Sequence, residues 1–169
     1  MDGSSAREPE SAEDDPEILH LEAFLPYRLS VASNLVSRAS ARRYQSAFGL
    51  SIPEWRVIAV LGRFAPAPSQ EICERTAMDK AKVSRAVTRL VASGLVVRGE
   101  NPQDQRRNRL TLSRKGLGIY RRIVPLALEL QSELVAGWAP AELAELNRIL
   151  RLLAERAKSL DTPLAAGQS

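Results

Sequence analysis

Residues 79–94 read DKAKVSRAVTRLVASG, and this stretch is the most informative about the fold. Its apolar side chains recur at positions i, i+3, i+4, i+7 and i+8, which predicts one face of a helix that packs inward. These residues are Val83, Ala86, Val87, Leu90 and Val91. Asp79 stands where a helix is capped and Gly94 where one ends. We therefore predict a helix between them with one buried face and one polar face.

The polar face of this helix carries side chains that suit DNA. Arginine bonds the edge of guanine in the major groove, while serine, threonine and lysine reach phosphates or bases. A solvated amphipathic helix shows the same pattern. Position favours DNA binding, because a short helix and a three-residue turn precede the stretch in helix-turn-helix order. The candidate DNA-binding residues are Lys80, Lys82, Ser84, Arg85, Thr88 and Arg89.

The beginning of the chain predicts one long helix. An N-cap followed by proline at Asp15-Pro16-Glu17 starts an amphipathic first helix that runs to about Phe48. Pro26 should kink or split this helix near Leu25, and Gly49 should end it.

The second and third helices are predicted to be short. Ser51-Ile52-Pro53-Glu54 has the pattern of a capping box and opens a second helix through Gly62. Ala65-Pro66-Ala67-Pro68 is expected to interrupt the helical structure. A third helix, capped by Ser69, then runs over residues 69–75. Thr76-Ala77-Met78 then makes the tight turn that leads into the fourth helix.

Two short strands and two helices are predicted after Gly94. The strands cover residues 95–98 and 109–112 and enclose the wing loop, residues 101–108, which reads NPQDQRRN. Ser113 caps a fifth helix that runs to about residue 134 and bends at Pro125. A last helix over residues 140–160 carries a continuous leucine stripe.

The charge of the chain is concentrated in two blocks. The whole chain has 169 residues and a formal net charge of +4. Residues 1–22 hold eight acidic residues and one arginine, a net charge of −7, whereas residues 79–115 hold ten basic and three acidic residues, a net charge of +7. A basic block on an otherwise neutral or acidic chain is typical of a nucleic-acid binder, although a solvated basic surface gives the same signal. Arginines in the wing loop suit the narrow, electronegative minor groove.

The sequence holds no pattern typical of a catalytic, metal or membrane site. The one cysteine, Cys73, and the one histidine, His20, form neither a disulfide framework nor a zinc ligand set, and no glycine-rich phosphate loop or paired-carboxylate motif is present. We interpret Cys73 as a small core residue rather than a redox sensor. No apolar run reaches the roughly 20 residues that span a bilayer. We expect a cytoplasmic protein that is not an enzyme and uses no cofactor.

The predicted elements divide the chain into five segments. They are an acidic disordered tail at 1–14, an N-terminal dimerisation helix region at 15–48, a winged helix-turn-helix domain at 51–112, C-terminal dimerisation helices at 113–160 and a disordered tail at 161–169. The first and last helices have more apolar surface than a domain of this size needs for its own core. This excess predicts that they meet a second copy of the chain. The fold class is mainly α with a small β-wing, six helices and a homodimer.

Three stretches resemble the MarR family of winged-helix transcriptional regulators. They are IPEWRVIAVLG at 52–62, DKAKVSRAVTRLVASGLVVR at 79–98 and NPQDQRRNRLTLSRKG at 101–116. The resemblance extends over about residues 18–160. It implies a homodimer that places two winged helices on a pseudo-palindromic operator, and most often a repressor released by a small anionic, often aromatic, effector. It also assigns the family's wing aspartate to Asp104 and the minor-groove arginine to Arg106. We expect Arg107 and Arg109 to serve phosphates or the outer face of the second strand.

FLPYRLSVASNLVSR at 24–38, followed by IPEWRV, is similar to the regulators of aromatic-acid degradation, some of which sense aromatic acids or their CoA thioesters. This resemblance implies that Arg28 pairs with a ligand carboxylate, that Trp55 stacks on its ring and that His20 adds a polar contact. Trp55 as a core residue and Arg28 in an interfacial ion pair are the structural alternatives. The alternative function is an architectural or protein-interaction module that does not read DNA sequence.

Overall fold

The computed structural model describes residues 18–99 and 109–161, which form six helices and a three-stranded antiparallel sheet. The mainly α fold with a small β-sheet is therefore confirmed. The predicted tail at 1–14, most of the tail at 161–169 and the wing loop with Asp104, Arg106 and Arg107 lie outside the described residues. The elements are α1 (Leu25–Phe48), α2 (Ile52–Phe64), β1 (Ala67–Pro68), α3 (Ser69–Thr76), α4 (Lys80–Ala92), β2 (Val96–Gly99), β3 (Arg109–Leu112), α5 (Arg114–Leu134) and α6 (Pro140–Asp161).

The start of the first helix is a correction to the sequence analysis. Residues 18–24 form a bend and a turn in which the N–H groups of Ala23 and Phe24 donate to the carbonyl oxygen of His20 at 3.1 and 3.0 Å. Helix α1 begins at Leu25, so Pro26 lies in its first turn and does not kink it. A proline is tolerated there because the N–H that it lacks has no partner within the helix. Gly49 ends α1 as predicted, with φ +67°.

Helix α2 begins with the predicted capping arrangement. The Ser51 N–H and hydroxyl both donate to Oε2 of Glu54 at 2.7 Å, and Glu54 as a whole residue is only 8% exposed. The helix runs past the predicted Gly62 to Phe64. Gly62 instead allows a close approach, because a Cβ at this position would overlap the ring of Tyr120.

The sheet has one strand more than predicted. Residues 65–68, expected only to interrupt the helical structure, contain β1. In this strand Ala67 pairs with Leu110 and Pro68 with Arg109. Strand β3 lies between β1 and β2, so β1 is an edge strand, where a proline without an N–H is tolerated. Strand β3 has the predicted bounds, whereas β2 begins and ends one residue later than predicted, at Val96 and Gly99.

The chain divides into two compact units, residues 1–121 and residues 122–169. In the first unit, α2, α3, α4 and the sheet share a close-packed apolar core. Its fully buried side chains include those of Val57, Ile58, Leu61, Ile72, Val83, Val87, Leu90, Val96 and Leu110. This core fixes one face of α4 and leaves its other face to solvent.

The second unit contains α6, none of whose side chains is buried within the described residues. Helix α6 ends at Asp161, the first residue of the predicted tail, and residues 162–169 lie outside the described residues. Leu150 and Leu160 of its predicted apolar stripe are exposed in the single chain, and so are other apolar side chains on α6, at the end of α5 and just beyond it. The most exposed are Leu128, Leu134, Trp138, Ile149, Leu150, Leu152 and Leu160.

Candidate nucleic-acid interface

The turn between α3 and α4 positions the candidate recognition helix. Ala77 adopts the left-handed conformation, with φ 51° and ψ 30°, and the adjacent Met78 is buried. Asp79 caps α4, because its Oδ1 accepts a hydrogen bond of 2.7 Å from the N–H of Lys82. The predicted turn and cap are both confirmed, and together they set the direction in which α4 leaves the core.

Helix α4 separates its apolar and polar residues as predicted. Val83, Ala86, Val87 and Leu90 are at most 3% exposed, while Val91 is half-buried. The six polar candidates are all exposed, so they lie together on the solvent face: Lys80, Lys82, Ser84, Arg85, Thr88 and Arg89. An exposed helix face rich in basic and hydroxyl side chains can present donors to the bases and phosphates of a DNA groove.

The charges on this face are mostly uncompensated. The Lys82 ammonium lies 3.1 Å from Oδ2 of Asp79, in a pair whose two side chains are both more than half exposed. The backbone hydrogen bond from Lys82, followed by the bond from its side chain, holds the pKa of the Asp79 carboxyl below its usual value. Arg85 and Arg89 have no hydrogen-bond or ion-pair partner within residues 18–99 and 109–161.

A small pocket adjoins the polar face where α2 begins. Its volume is about 150 Å³, and it joins the first residues of α2 to one flank of α4. The residues that line it are Ser51, Pro53, Lys82, Arg85, Ala86 and Arg89.

A set of hydrogen bonds, which we call the α4–α5 clamp, fixes the end of α4. The Lys115 ammonium donates to the carbonyl oxygen of Ser93 at 3.0 Å, and the Ser113 hydroxyl donates to that of Gly94 at 2.7 Å. The Gly116 N–H donates in turn to Ser113 Oγ at 3.0 Å, so Ser113 caps α5 as predicted. A Cβ at Gly116 would overlap the carbonyl oxygen of Leu95. The clamp consists of Ser93, Gly94, Ser113, Lys115 and Gly116.

Sequence reasoning missed this clamp. The only signal was the run Ser113-Arg114-Lys115-Gly116, in which Ser113 was predicted to cap a helix and Lys115 and Gly116 received no physical role. The structure gives three of these residues a common purpose, because each satisfies or approaches a backbone group at the junction of α4 and β2.

The three effector-site candidates have different surroundings. His20 and Arg28 are exposed, and Trp55 is half-buried. The Trp55 ring lies 5.1 Å from the ring of Tyr44, at an interplanar angle of 48°. Tyr44 is 3% exposed, and burial raises the pKa of its hydroxyl. This contact joins α1 to α2.

A larger groove lies along α1, beside the start of α2. Its volume is about 460 Å³, within the range of small-molecule sites. The lining residues are Val31, Asn34, Ser37, Arg38, Ala41 and Ile52. Asn34 and Arg38 were not singled out from the sequence, although their four-residue spacing places them on one side of α1.

Within the described residues, no group of three or more histidine, cysteine, aspartate or glutamate side chains can hold a metal ion, and no helix has the length and apolarity needed to cross a membrane. Cys73 is half-buried on α3, which differs from the fully buried core position that we expected.

Comparison with known proteins agrees with this architecture. A model of the MarR family matches residues 48–107, which contain α2, α3, α4 and β2. A MarR family transcriptional regulator from Silicibacter pomeroyi DSS is 27% identical, covers 90% of this chain and 99% of its own, and superimposes with a TM-score of 0.70. Over residues 48–107 the chain is similar to proteins of the MarR family.

Two further known proteins are similar to this chain. A MarR/EmrR family regulator from Acinetobacter sp. ADP1 has a TM-score of 0.79 at 24% identity and covers 83% of this chain and 99% of its own. The HTH-type transcriptional repressor IacR of Pseudomonas putida is 25% identical over 111 residues. That alignment covers 66% of each protein, just under two thirds of the repressor's length.

Two structures with the same fold involve DNA or an aromatic acid. A MarR family regulator from Listeria monocytogenes, in complex with 26mer DNA, has a TM-score of 0.76 at 16% identity and covers 86% of this chain and 98% of its own. BpsR of Bordetella bronchiseptica, whose DNA binding is regulated by 6-hydroxynicotinic acid, has a TM-score of 0.73 at 22% identity and covers 81% of this chain and 97% of its own.

Proposed function

We propose that this protein is a sequence-specific DNA-binding repressor of the MarR family, and that a small aromatic acid or its CoA thioester releases it from its operator. The observation that carries the proposal is the exposed face of α4, where six basic and hydroxyl side chains stand opposite a fully packed apolar face. A relative named as a transcriptional repressor and a structural neighbour in complex with DNA support the same function. Such a regulator acts in the cytoplasm, on chromosomal DNA.

In this proposal α4 enters the major groove and the wing loop reaches the minor groove. Lys80, Lys82, Ser84, Arg85, Thr88 and Arg89 make the contacts of α4. In the wing loop, Arg106 is the minor-groove probe and Arg107 serves a phosphate. Asp104 directs a nearby arginine by accepting its hydrogen bonds.

We also propose a homodimer formed by the first and last helices. Helix α1 exposes Leu25, Leu29, Leu35 and Val36, and α6 exposes Ile149, Leu150 and Leu152. Monomeric soluble proteins rarely expose contiguous apolar patches of more than a few hundred Å². A two-fold dimer covers such faces and presents two copies of α4 to half-sites about 10 base pairs apart.

For the effector, we propose the groove along α1. Its volume suits an aromatic acid, and Arg38, with Asn34 and Ser37, offers polar partners for a carboxylate. Arg28, Trp55 and His20 remain the candidates from family resemblance. The ligand needs only to favour a geometry of the protein that fits the operator less well, and a few kcal/mol of coupling suffices.

Footprinting of the purified protein on the DNA upstream of its own gene tests the function. We expect two protected half-sites about 10 base pairs apart, centre to centre, and loss of protection when a suitable aromatic acid or CoA thioester is added. Uniform protection without half-sites points instead to the architectural module.

A further inference from the structure

We propose that the pocket between the start of α2 and α4 is the seat of one DNA backbone phosphate, held by Lys82 and Arg89, and that Ser84 and Thr88 face the base edges. This inference rests on the proposed DNA-binding function and deepens it, because it divides five of the six candidates, all except Lys80, between positioning and sequence reading.

The arrangement of side chains around α4 makes this division. Successive residues are about 100° apart in an α-helix, so Lys82 and Arg89, seven positions apart, lie within about 20° of each other. Ala86, which also lines the pocket, lies on the same flank next to the buried face. Thr88 is about 100° from Arg89 and about 40° from Ser84, on the other side of the exposed face.

The size of the pocket favours a phosphate over an organic effector. Its volume of about 150 Å³ is below the roughly 300–1,000 Å³ of sites for drug-sized ligands. Because a water molecule occupies about 30 Å³, a pocket of this volume is large enough for a tetrahedral oxyanion and a few waters.

The charges around the pocket favour an anion. Three cationic side chains line it, at spacings of three, four and seven residues, where like charges on a helix repel one another. Neither of its two arginines is neutralised by a hydrogen-bonded or ion-paired partner within the described residues, and Lys82 shares only an exposed, weak ion pair with Asp79. Glu54, the acid at the start of α2, is buried and already accepts both Ser51 donors. A phosphate oxygen supplies the missing counter-charge.

Arg85 lies between the two groups. It lines the pocket, but it is about 40° around the helix from Arg89, towards the middle of the exposed face. We therefore assign Lys82 and Arg89 to the phosphate and leave Arg85 to reach the bases beside Thr88.

The neighbours Thr88 and Arg89 provide the test. Fluorescence anisotropy measures the affinity of wild type, Arg89→Gln and Thr88→Ala for an operator duplex and a scrambled duplex, between about 50 and 200 mM salt. Arg89→Gln should weaken both duplexes by the same factor. It should also lower the slope of log affinity against log salt by about 0.9 for each bound protomer. Thr88→Ala should lower the ratio of the two affinities and leave the slope unchanged.

A matched control removes the same charge elsewhere. Arg151→Gln, at an exposed position of α6, should leave both the ratio and the slope as in wild type. If wild type does not distinguish the two duplexes, the proposed function itself fails. If wild type does distinguish the two duplexes, but Arg89→Gln lowers the ratio of their affinities without changing the salt slope, the assignment of Arg89 to a phosphate is wrong. The proposed function is then unaffected.

Replacing single operator phosphates by neutral methylphosphonates locates the contact. At one phosphate in each half-site, the methylphosphonate should reduce the affinity of wild type but not that of Arg89→Gln, because the methylphosphonate and the substitution remove the same interaction. If the methylphosphonate and Arg89→Gln reduce the affinity additively at every phosphate, the proposal is contradicted.

Discussion

The Lys115 ammonium lies 3.0 Å from the carbonyl oxygen of Ser93, where it joins the first turn of α5 to the C-cap residue of α4. The last carbonyl groups of a helix lack partners within the helix, and a cation is favoured at its negative end. The clamp therefore links the orientation of the candidate recognition helix to α5.

Lys115→Met should remove this link and keep most of the side chain's apolar stem. We expect a loss of roughly 0.3–1 kcal/mol of stability, the typical effect of a cation at a helix end, and weaker operator binding because α4 is less firmly oriented. Thermal unfolding and operator titration measure the two effects. Lys115→Arg should restore binding, whereas equally weak binding by both variants would argue against a role for the ammonium group.

Gly116→Ala should destabilise the protein much more than Gly118→Ala. A Cβ at Gly116 meets the backbone oxygen of Leu95, which cannot move without shifting β2, so we expect a loss of about 1–3 kcal/mol. Gly118 has open space around it within α5, and alanine there should stabilise the helix by up to about 1 kcal/mol. Urea unfolding of both variants provides the comparison; similar stabilities would contradict the close approach.

Asp79 should make stability depend on pH at the acidic end. Hydrogen bonds to Lys82 lower the pKa of this carboxyl in the folded protein below its usual value of 3.8. Its contribution is present above the pKa of the unfolded chain and is lost as pH falls through the lower folded value. The advantage of wild type over Asp79→Asn in unfolding free energy should therefore shrink below about pH 4. A constant difference from pH 7 to pH 3 would refute this cause.

Leu150→Glu should separate the proposed dimer without unfolding the chain. Leu150 belongs to the leucine stripe of α6 and is 44% exposed in the single chain, so a charge costs little there, but the same charge would be buried unpaired in an interface between copies. Light scattering should show a dimer for wild type and a monomer for the variant, with similar circular dichroism. A monomeric wild type would rule out the dimer.

Arg38→Ala should abolish effector release and leave operator affinity unchanged, if the groove along α1 holds the carboxylate. Arg28→Ala is the matched comparison, because it removes the same charge from α1 outside the groove. Operator titration in the presence of aromatic acids distinguishes them. Loss of release in Arg28→Ala alone would favour the site implied by family resemblance.

The parts of the fold that depend on local pattern could be predicted from the sequence. The buried face of α4 and the caps at Asp79 and Ser113 each depend on residues within a few positions of one another. Proline allowed two interpretations, because Pro26 is compatible with a kink inside a helix and with the first turn of one. The turn at residues 18–24 favours the second.

The remaining features depend on contacts between distant residues. Strand β1 is only two residues long and exists because Ala67 pairs with Leu110, so no alternation of side chains announces it. The clamp joins Ser93 to Lys115 across 22 positions. The α2–α4 pocket brings Ser51 beside Arg89 in the same way. None of these follows from a periodic pattern.

The ratio of affinities for the operator and a scrambled duplex, measured at about 0.15 M salt, tests most directly whether α4 reads DNA sequence. We predict a ratio of at least about 10³ for wild type. Arg85→Ala should reduce the corresponding difference in binding free energy by about 1–3 kcal/mol, and this loss of discrimination should be confined to particular base pairs. A wild-type ratio near one, unchanged by Arg85→Ala, would show that α4 does not read DNA sequence.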